Sequence, residues 1–564
     1  MNLTEKSNLS DLFLERVRAT PDAPAYRQFD GKNWRDWSWR EVAQEVGRWQ
    51  AALKRDGVQP GERVAVCMHN RVEWVLFDQA AIGIGAVVVP LYFDDRPENM
   101  AFCINDANAR LLLLETTTQW NALKDHVKTA ERVVCLSGAP LSDARTRVLA
   151  DWLPPGNHEP ARSSAGADEL ATIVYTSGTT GRPKGVMLSH RNIVSDAVAS
   201  MRAIPAYSWD RFLSFLPLSH MFERTCGYYA AIWAGAQTVY ARSITVLAED
   251  LRQQQPTILI AVPRIFERIW GRLQETMAPG SLKRRLFDKA VDVGWRRFQG
   301  TPSATDQLLW PVLKLLVANK LKHRLGGRIR LIIVGGAAFP ESLARVFIGL
   351  GLPILQGYGL TETAPVLCAN RLGDNDPLSV GRALEGIKLR CDDSGQLLAK
   401  GPSIMLGYWN NPEATRAVLT ADGWFQTGDL ARIRDGRVYI TGRAKDIIVM
   451  SNGEKISPTD MEQALTRDPT FEQAMVVGEG RAALGLVCVA ATADLRELCQ
   501  RANAQLREFP GYVRIRHIAR VAGPWSVENG LLTPTLKVKR KEVEKRFPQE
   551  LEAMYQTSQN CNQK

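Results

Sequence analysis

Short apolar runs alternate with helix-like stretches through most of the first two-thirds of the chain, and this alternation restricts the fold more than any other feature. Arg63–Cys67 is strand-like, Glu73–Gly83 has a helical pattern, and Ala86–Pro90 (AVVVP) is strand-like again. Arg110–Leu114, Ala236–Tyr240, Ile258–Ile260, Arg330–Val334 and Ile354–Leu355 repeat the strand signal, separated by helical stretches. Such repetition gives largely parallel sheets covered by helices. Ser38-Trp39-Arg40-Glu41 is a capping box, so a helix is expected to open there and run toward Leu53.

Two regions depart from the pattern. Residues 137–168 are rich in Pro, Gly and Ser and read as a surface connection. After about residue 443 the signals become a smaller mixture: strands near Ala474–Val477 and Leu484–Ala491, a helix near Asp494–Glu508, and a basic final helix. The expected architecture is α/β, with a large N-terminal domain of helix-covered parallel and mixed sheets over 1–443. A small α+β domain over 444–547 and a tail over 548–564 follow.

Composition removes several alternatives. With 564 residues, 45% apolar and 23% charged, the chain is of ordinary globular type. Its nine cysteines form no CxxC pair and do not cluster with the seven histidines, so neither a zinc nor a redox site is expected. An odd count of thiols fits a reducing, cytoplasmic setting. The N-terminus has no apolar stretch and does not read as a signal peptide. Runs such as Ala80–Phe93 fall short of the ~18 residues of a membrane span.

The net charge of +11 is concentrated: 12 Lys plus Arg against 3 Asp lie between Ser281 and Arg330. There LKRRLFDKAVDVGWRRF reads as an amphipathic helix with Leu286, Ala290, Val293 and Phe298 near helical spacing, and LLWPVLKLLVANKLKHRLGG as a second. The basic face serves anionic lipid headgroups or an anionic substrate, or is the solvated side of two core helices. No helix-turn-helix, RNA-recognition or zinc pattern accompanies the charge, so nucleic-acid binding is not expected.

The richest segment is Ile173–His190 (IVYTSGTTGRPKGVMLSH). Apolar runs flank a loop holding Thr176, Ser177, Gly178, Thr179, Thr180, Gly181 and Lys184. Glycines let backbone N–H groups converge on an anion, hydroxyls add donors, and a lysine adds a point charge, which suits a polyphosphate. It is not a Walker loop, since GxxxxGK[ST] is absent. In isolation an ordinary polar hairpin accounts for it too. Ser177 lacks the GxSxG setting of a hydrolase nucleophile.

YTSGTTGRPKGVMLSH resembles the phosphate-loop signature of the adenylate-forming superfamily, which includes acyl-CoA synthetases, peptide-synthetase adenylation domains and beetle luciferases. QGYGLTET (356–363) resembles its adenine and magnesium motif, GWFQTGD (423–429) its ribose motif, and YITGRAKDII (439–448) its hinge. The motifs stand in family order, and the similarity spans roughly residues 20–546. LPLSHMFER (216–224), NGLLTPTLKVKR (529–540) and the basic insertion at 281–330 look like the long-chain fatty acyl-CoA synthetase branch.

That resemblance implies ATP, Mg²⁺ and CoA as cofactor and co-substrates, with a fatty acid activated as acyl-AMP and transferred to the CoA thiol. It implies that Thr176–Thr180, Gly181 and Lys184 hold the β- and γ-phosphates. Thr361 then touches the α-phosphate region and Glu362 ligates Mg²⁺. Tyr358 and Gly359 meet the adenine, with Gly336 and Ala337 on its other side. Asp429 accepts the ribose hydroxyls, and Arg443 contacts ribose or phosphate. Lys445 is the hinge at which the small C-terminal domain, a mobile lid, swings between adenylating and thioester-forming arrangements. Lys537 is the adenylation lysine, although the family usually places Gly before it where this chain has Leu536, and Lys539 is a neighbouring alternative. His220 occupies the place of an aromatic ring between acyl pocket and thiol channel; gating, proton transfer and a structural role stay open. Met221–Gly235 and Val262–Trp270 are expected at the acyl pocket, and His190 under the next helix. A carrier-protein thiol in place of CoA and a luciferase-like oxygenase are the rival activities. A cytoplasmic location is expected, with peripheral attachment to the inner face of the membrane through 281–330 left open.

Overall fold

The computed structural model describes residues 7–556 apart from 140, 177–181, 279, 445, 453, 493, 508, 511–512 and 535. The alternation resolves into two large sheets. One has eight strands, in the spatial order Gly407–Tyr408, Lys184–Ser189, Leu170–Thr176, Val87–Pro90, Arg63–Cys67, Ala109–Thr116, Arg132–Ser137 and Thr146–Val148. Beyond Leu170–Thr176 every pairing is parallel. Val64–Cys67 and Leu111–Leu114 are buried on both faces, as their unbroken apolar runs require. The other sheet has thirteen strands. Its parallel centre includes Pro24–Phe29, Gln237–Tyr240, Arg211–Ser214, Ile258–Ala261, Leu331–Val334 and Ile354–Gly359, and it turns antiparallel from Val366–Ala369 onward.

The helix Val72–Gly83 is buried at every position except Glu73 and touches strands of both sheets. Its one buried acid, Asp78, is paired with the equally buried Arg224 and accepts from Tyr228 and Tyr229 at 3.0 and 2.8 Å. The expected capping box closes as written: Glu41 N donates to Ser38 Oγ and the Glu41 carboxylate accepts from Ser38 N, opening Trp39–Arg55.

Residues 137–168 are more than a surface connection. Thr146–Val148 is the edge strand of the eight-stranded sheet, and Leu149–Trp152 is a helical turn. Trp152 is buried edge-on to Trp49, with its indole N–H donated to Asp56 at 2.7 Å. The chain then lies so close to Gly47 that a Cβ there would stand 1.9 Å from the His158 carbonyl oxygen.

The basic insertion also differs in detail. The helix Leu282–Phe298 buries Phe287, Ala290, Val291, Val293 and Gly294, whereas Phe298 is exposed. Gly294 fixes that face, because a Cβ would meet the Gly349 carbonyl oxygen at 1.7 Å. The second expected helix is three pieces, Ala304–Leu313, a wider π turn at Lys314–Ala318, and Asn319–Arg324. Pro311 lies just before the wide turn and supplies no backbone donor.

The C-terminal domain pairs Phe471–Val477 antiparallel and Ile515–Arg520 parallel with Leu484–Ala490. The expected tail is structured in its first part: Pro548–Gln556 is a helix with Met554 buried. It seats on Gly485, where a Cβ would lie 2.6 Å from the Met554 methyl carbon. No helix among the described residues is long and apolar enough to cross a membrane.

Candidate active site

The antiparallel pair Phe425–Arg434 and Arg437–Arg443 sets Asp429 directly across from Arg443. Arg443 Nε lies 3.0 Å from Asp429 Oδ1, and the Tyr358 hydroxyl, near the end of Ile354–Gly359, donates to Oδ2 at 2.6 Å. Burial and the Asp429 charge hold the Tyr358 phenol well above its usual pKa, so it stays a donor. Thr427 Oγ1 accepts from the Asp429 amide at 3.1 Å and donates to the Leu397 carbonyl at 2.8 Å, fixing the backbone beneath the carboxylate. Each carboxylate oxygen retains accepting capacity, a match for two vicinal hydroxyls.

Glu362 sits on the single turn Thr361–Thr363 that follows the Tyr358 strand. The strand Gly407–Tyr408 pairs with Val186 and Met187, and the Tyr408 hydroxyl donates to Glu362 Oε1 at 2.8 Å. Burial first, then the Glu362 charge, raises the Tyr408 pKa and keeps that proton in place. Lys184 Nζ lies 5.1 Å from the centre of the Tyr408 ring. Among the described residues Glu362 Oε2 has no hydrogen-bond partner. Thr176 and Lys184 face each other where the flanking strands of the loop begin and end. Ser177, Gly178, Thr179, Thr180, Gly181 and Lys445 lie outside the described residues.

Lys537 enters this space from the C-terminal domain. Its N–H donates to Thr533 Oγ1 at 3.0 Å, and its carbonyl accepts from Thr533 N at 2.8 Å. Leu536 completes the turn with φ of 61°. Enclosure by protein and the Arg443 guanidinium draw the ammonium pKa down, opposed by Asp429, Asp446 and Glu362. Lys539 instead lines a separate cavity with Arg182 and Glu542.

His220 also neighbours Lys537. Enclosure, with Lys537 adding to it, lowers the imidazole pKa to about 4. Its Nδ1 accepts from Phe222 N at 3.2 Å, a bond that assigns the ring proton to Nε2. The Phe222 ring packs against Gly335, whose added Cβ would lie 3.0 Å away, and Val262 stands 3.6 Å from the corresponding point on Gly336. The expected acyl-pocket stretches therefore converge on the Gly335–Ala337 loop, where Gly336 and Ala337 are exposed. Gly359 has a packing reason to be glycine: a Cβ would meet the Pro365 carbonyl oxygen at 1.7 Å. His190 is buried and its Nδ1 faces Leu9 N at 3.5 Å, away from these groups.

Two participants escaped the sequence reading. Tyr408 had only a lone tyrosine before the Asn411–Pro412 helix start as its signal, and Asp446 stood unremarked inside the hinge motif.

Residues 13–409 match the AMP-binding enzyme family, and residues 445–559 match the AMP-binding enzyme C-terminal domain. The long-chain-fatty-acid–CoA ligase FadD15 of Mycobacterium bovis is 31% identical over 98% of this chain and 97% of its own. The long-chain-fatty-acid–[acyl-carrier-protein] ligase AEE15 of Arabidopsis thaliana is 27% identical over 92% and 82% respectively. Among solved structures, the A domain of carboxylic acid reductase from Segniliparus rugosus, in complex with AMP and a co-purified carboxylic acid, superposes with a TM-score of 0.77. It is 21% identical, over 97% of this chain and 94% of that one. The fold is the mixed α/β architecture of adenylating enzymes, a large N-terminal domain with a smaller C-terminal one. The chain belongs to the AMP-binding enzyme family.

Proposed function

We propose that this enzyme activates a long-chain fatty acid with ATP and passes the acyl group to CoA, releasing pyrophosphate and then AMP. The observation that carries the reading is one space shared by Tyr358, Asp429, Arg443 and Glu362 of the large domain and Lys537 of the small one. The full-length similarity to FadD15 supplies the substrate class.

A carboxylate has no adequate leaving group. Its oxygen therefore attacks the α-phosphorus of ATP, forming an O–P bond as the bond to pyrophosphate breaks. Asp429 accepts the ribose hydroxyls on its free lone pairs, and Tyr358 lies beside the adenine. Lys184 and the loop 176–181 hold the β- and γ-phosphates, with Thr361 toward the α-phosphate. Lys537 bridges the attacking carboxylate and the α-phosphate, where charge develops. Glu362 fits a single-carboxylate Mg²⁺ site, since Tyr408 holds one oxygen and the other is unclaimed. The ion, when bound, offsets phosphate charge. In the second step a thiolate attacks the acyl carbon and AMP leaves. A neutral His220 serves as a gate there, because a thiol near pKa ~8.5 already supplies thiolate without a base.

The division at residue 443/444, with Lys445 as hinge, belongs to the same proposal: Lys537 must withdraw before a thiol reaches the acyl carbon. Mg²⁺-ATP-dependent pyrophosphate release, followed with and without CoA, tests it. Sustained release that needs both a long-chain acid and CoA is expected. A single burst unaffected by CoA would instead favour a carrier-protein thiol as acceptor, the reading that AEE15 supports.

Peripheral membrane attachment through 281–330 gains an apolar component. Leu308, Val312 and Leu315 project from the second basic helix at 80, 55 and 65% exposure, a ridge that suits acyl chains beneath anionic headgroups. Sedimentation with anionic vesicles at low salt, lost on Leu308→Ser/Leu315→Ser, is the expected result.

A further inference from the structure

Beside the phosphate hairpin, between the two domains, lies a cavity of about 750 Å³. None of Tyr358, Glu362, Asp429 or Lys537 lines it. One wall is the segment Pro90–Cys103 with Tyr175, Arg182 and Pro183; the other is Asn529–Arg546 of the C-terminal domain. Lys184 follows Pro183 directly, and its ammonium lies on Tyr408 beside Glu362. The chain thus passes from this cavity to the proposed γ-phosphate position within three residues.

The charge of the cavity is unbalanced. Arg96, Arg182, Lys539, Lys545 and Arg546 line it against Asp95, Glu98 and Glu542. Lys545 is taken by Glu542 at 2.9 Å, and Asp95 is occupied by Arg96 N and Asn99 Nδ2, both at 2.8 Å. Arg96, Arg182, Lys539 and Arg546 make no ion pair with any described residue. Like charges gathered in a partly enclosed space repel, and a multivalent anion relieves that repulsion at all of them together. Guanidinium and ammonium groups in this number suit condensed phosphate.

We propose that this cavity binds inorganic pyrophosphate, receiving it from the phosphate hairpin after adenylation. The inference rests on the function proposed above and adds a second station for its first product. Because Arg96 and Arg182 stand on one domain and Lys539 and Arg546 on the other, the site exists only while the domains hold this arrangement. Bound pyrophosphate therefore holds the adenylating arrangement, and its loss frees the C-terminal domain to turn for the thiol step.

Calorimetric titration of the full-length protein with Mg²⁺-pyrophosphate, and separately with ATP and with 3′,5′-ADP, tests this. Arg96→Ala and Arg546→Ala, one from each wall, are each expected to raise the pyrophosphate Kd about tenfold, or about 1.4 kcal/mol, with the ATP Kd almost unchanged. Unchanged pyrophosphate binding would overturn the proposal. So would equal weakening of ATP, or variant sensitivity confined to 3′,5′-ADP, which would mark a coenzyme site. Failure of the wild type to bind ATP would contradict the nucleotide reading, while the pyrophosphate titration would still decide the cavity. Arg96→Gln and Arg546→Gln replace the alanine variants if melting temperatures fall.

Discussion

Leu536 adopts a left-handed backbone, φ 61°, immediately before Lys537. That conformation costs a residue with a side chain about 1–2 kcal/mol and glycine almost nothing, so glycine would fit this position with less strain. Leu536→Gly should retain adenylation and melt no lower than wild type, whereas Leu536→Val should melt lower. A marked drop for the glycine variant would show that the turn is not left-handed. Lys537→Ala should lose about 10²–10³ of the acyl-adenylate rate while still forming thioester from supplied acyl-adenylate. Lys539→Ala should leave adenylation nearly intact. The reverse outcome would move the catalytic role to Lys539. Tyr408→Phe removes the donor to Glu362 Oε1 and should raise the Mg²⁺ concentration needed for half-maximal rate several-fold, with little effect on ATP-free stability. Most of this site was legible because its residues sit in contiguous motifs. Tyr408 and Asp446 were not, since their role arises from strand pairing and domain contact rather than from spacing.

At the scale of elements, the helix Val72–Gly83 and the π segment Glu223–Tyr229 are locked through Asp78 and Arg224, both fully buried. Removing one member leaves the other charge uncompensated, so Asp78→Ala should destabilise by about 3–5 kcal/mol in denaturant unfolding. A loss below about 1 kcal/mol would mean that water already serves the pair. His190 opens the helix His190–Ala203, where burial lowers its pKa to about 4 from 6.5. The unfolded chain therefore binds the extra proton between those values. The stability tied to neutral His190 is complete above pH 6.5 and is lost as pH falls toward about 4. His190→Gln should flatten the stability-versus-pH curve across that interval; an unchanged slope would place the titration elsewhere. Strands buried on both faces were readable as apolar runs. The strand and Trp152 within 137–168 were hidden because Thr146–Val148 holds a single apolar residue, Val148, too few to show a period. The face of Leu282–Phe298 was misjudged because Gly294, not a large apolar side chain, makes its closest contact.

For the whole molecule, the order of motifs and the change of pattern near residue 443 conveyed the two-domain plan, and the C-terminal helix Pro548–Gln556 was the part left out. Its short amphipathic run is recognisable only once Gly485 provides a seat for Met554. The proposed chemistry depends on groups that no single domain holds, with Lys537 on one and Asp429 and Glu362 on the other. The most direct measurement is steady-state pyrophosphate release from Mg²⁺-ATP with carboxylic acids of increasing chain length, in the presence and absence of CoA. Continuous turnover that requires CoA and rises to a maximum with long-chain acids such as palmitate is the expected result. Absence of release with every acid, or turnover indifferent to the acid supplied, would contradict the assignment of fatty-acid activation to this site.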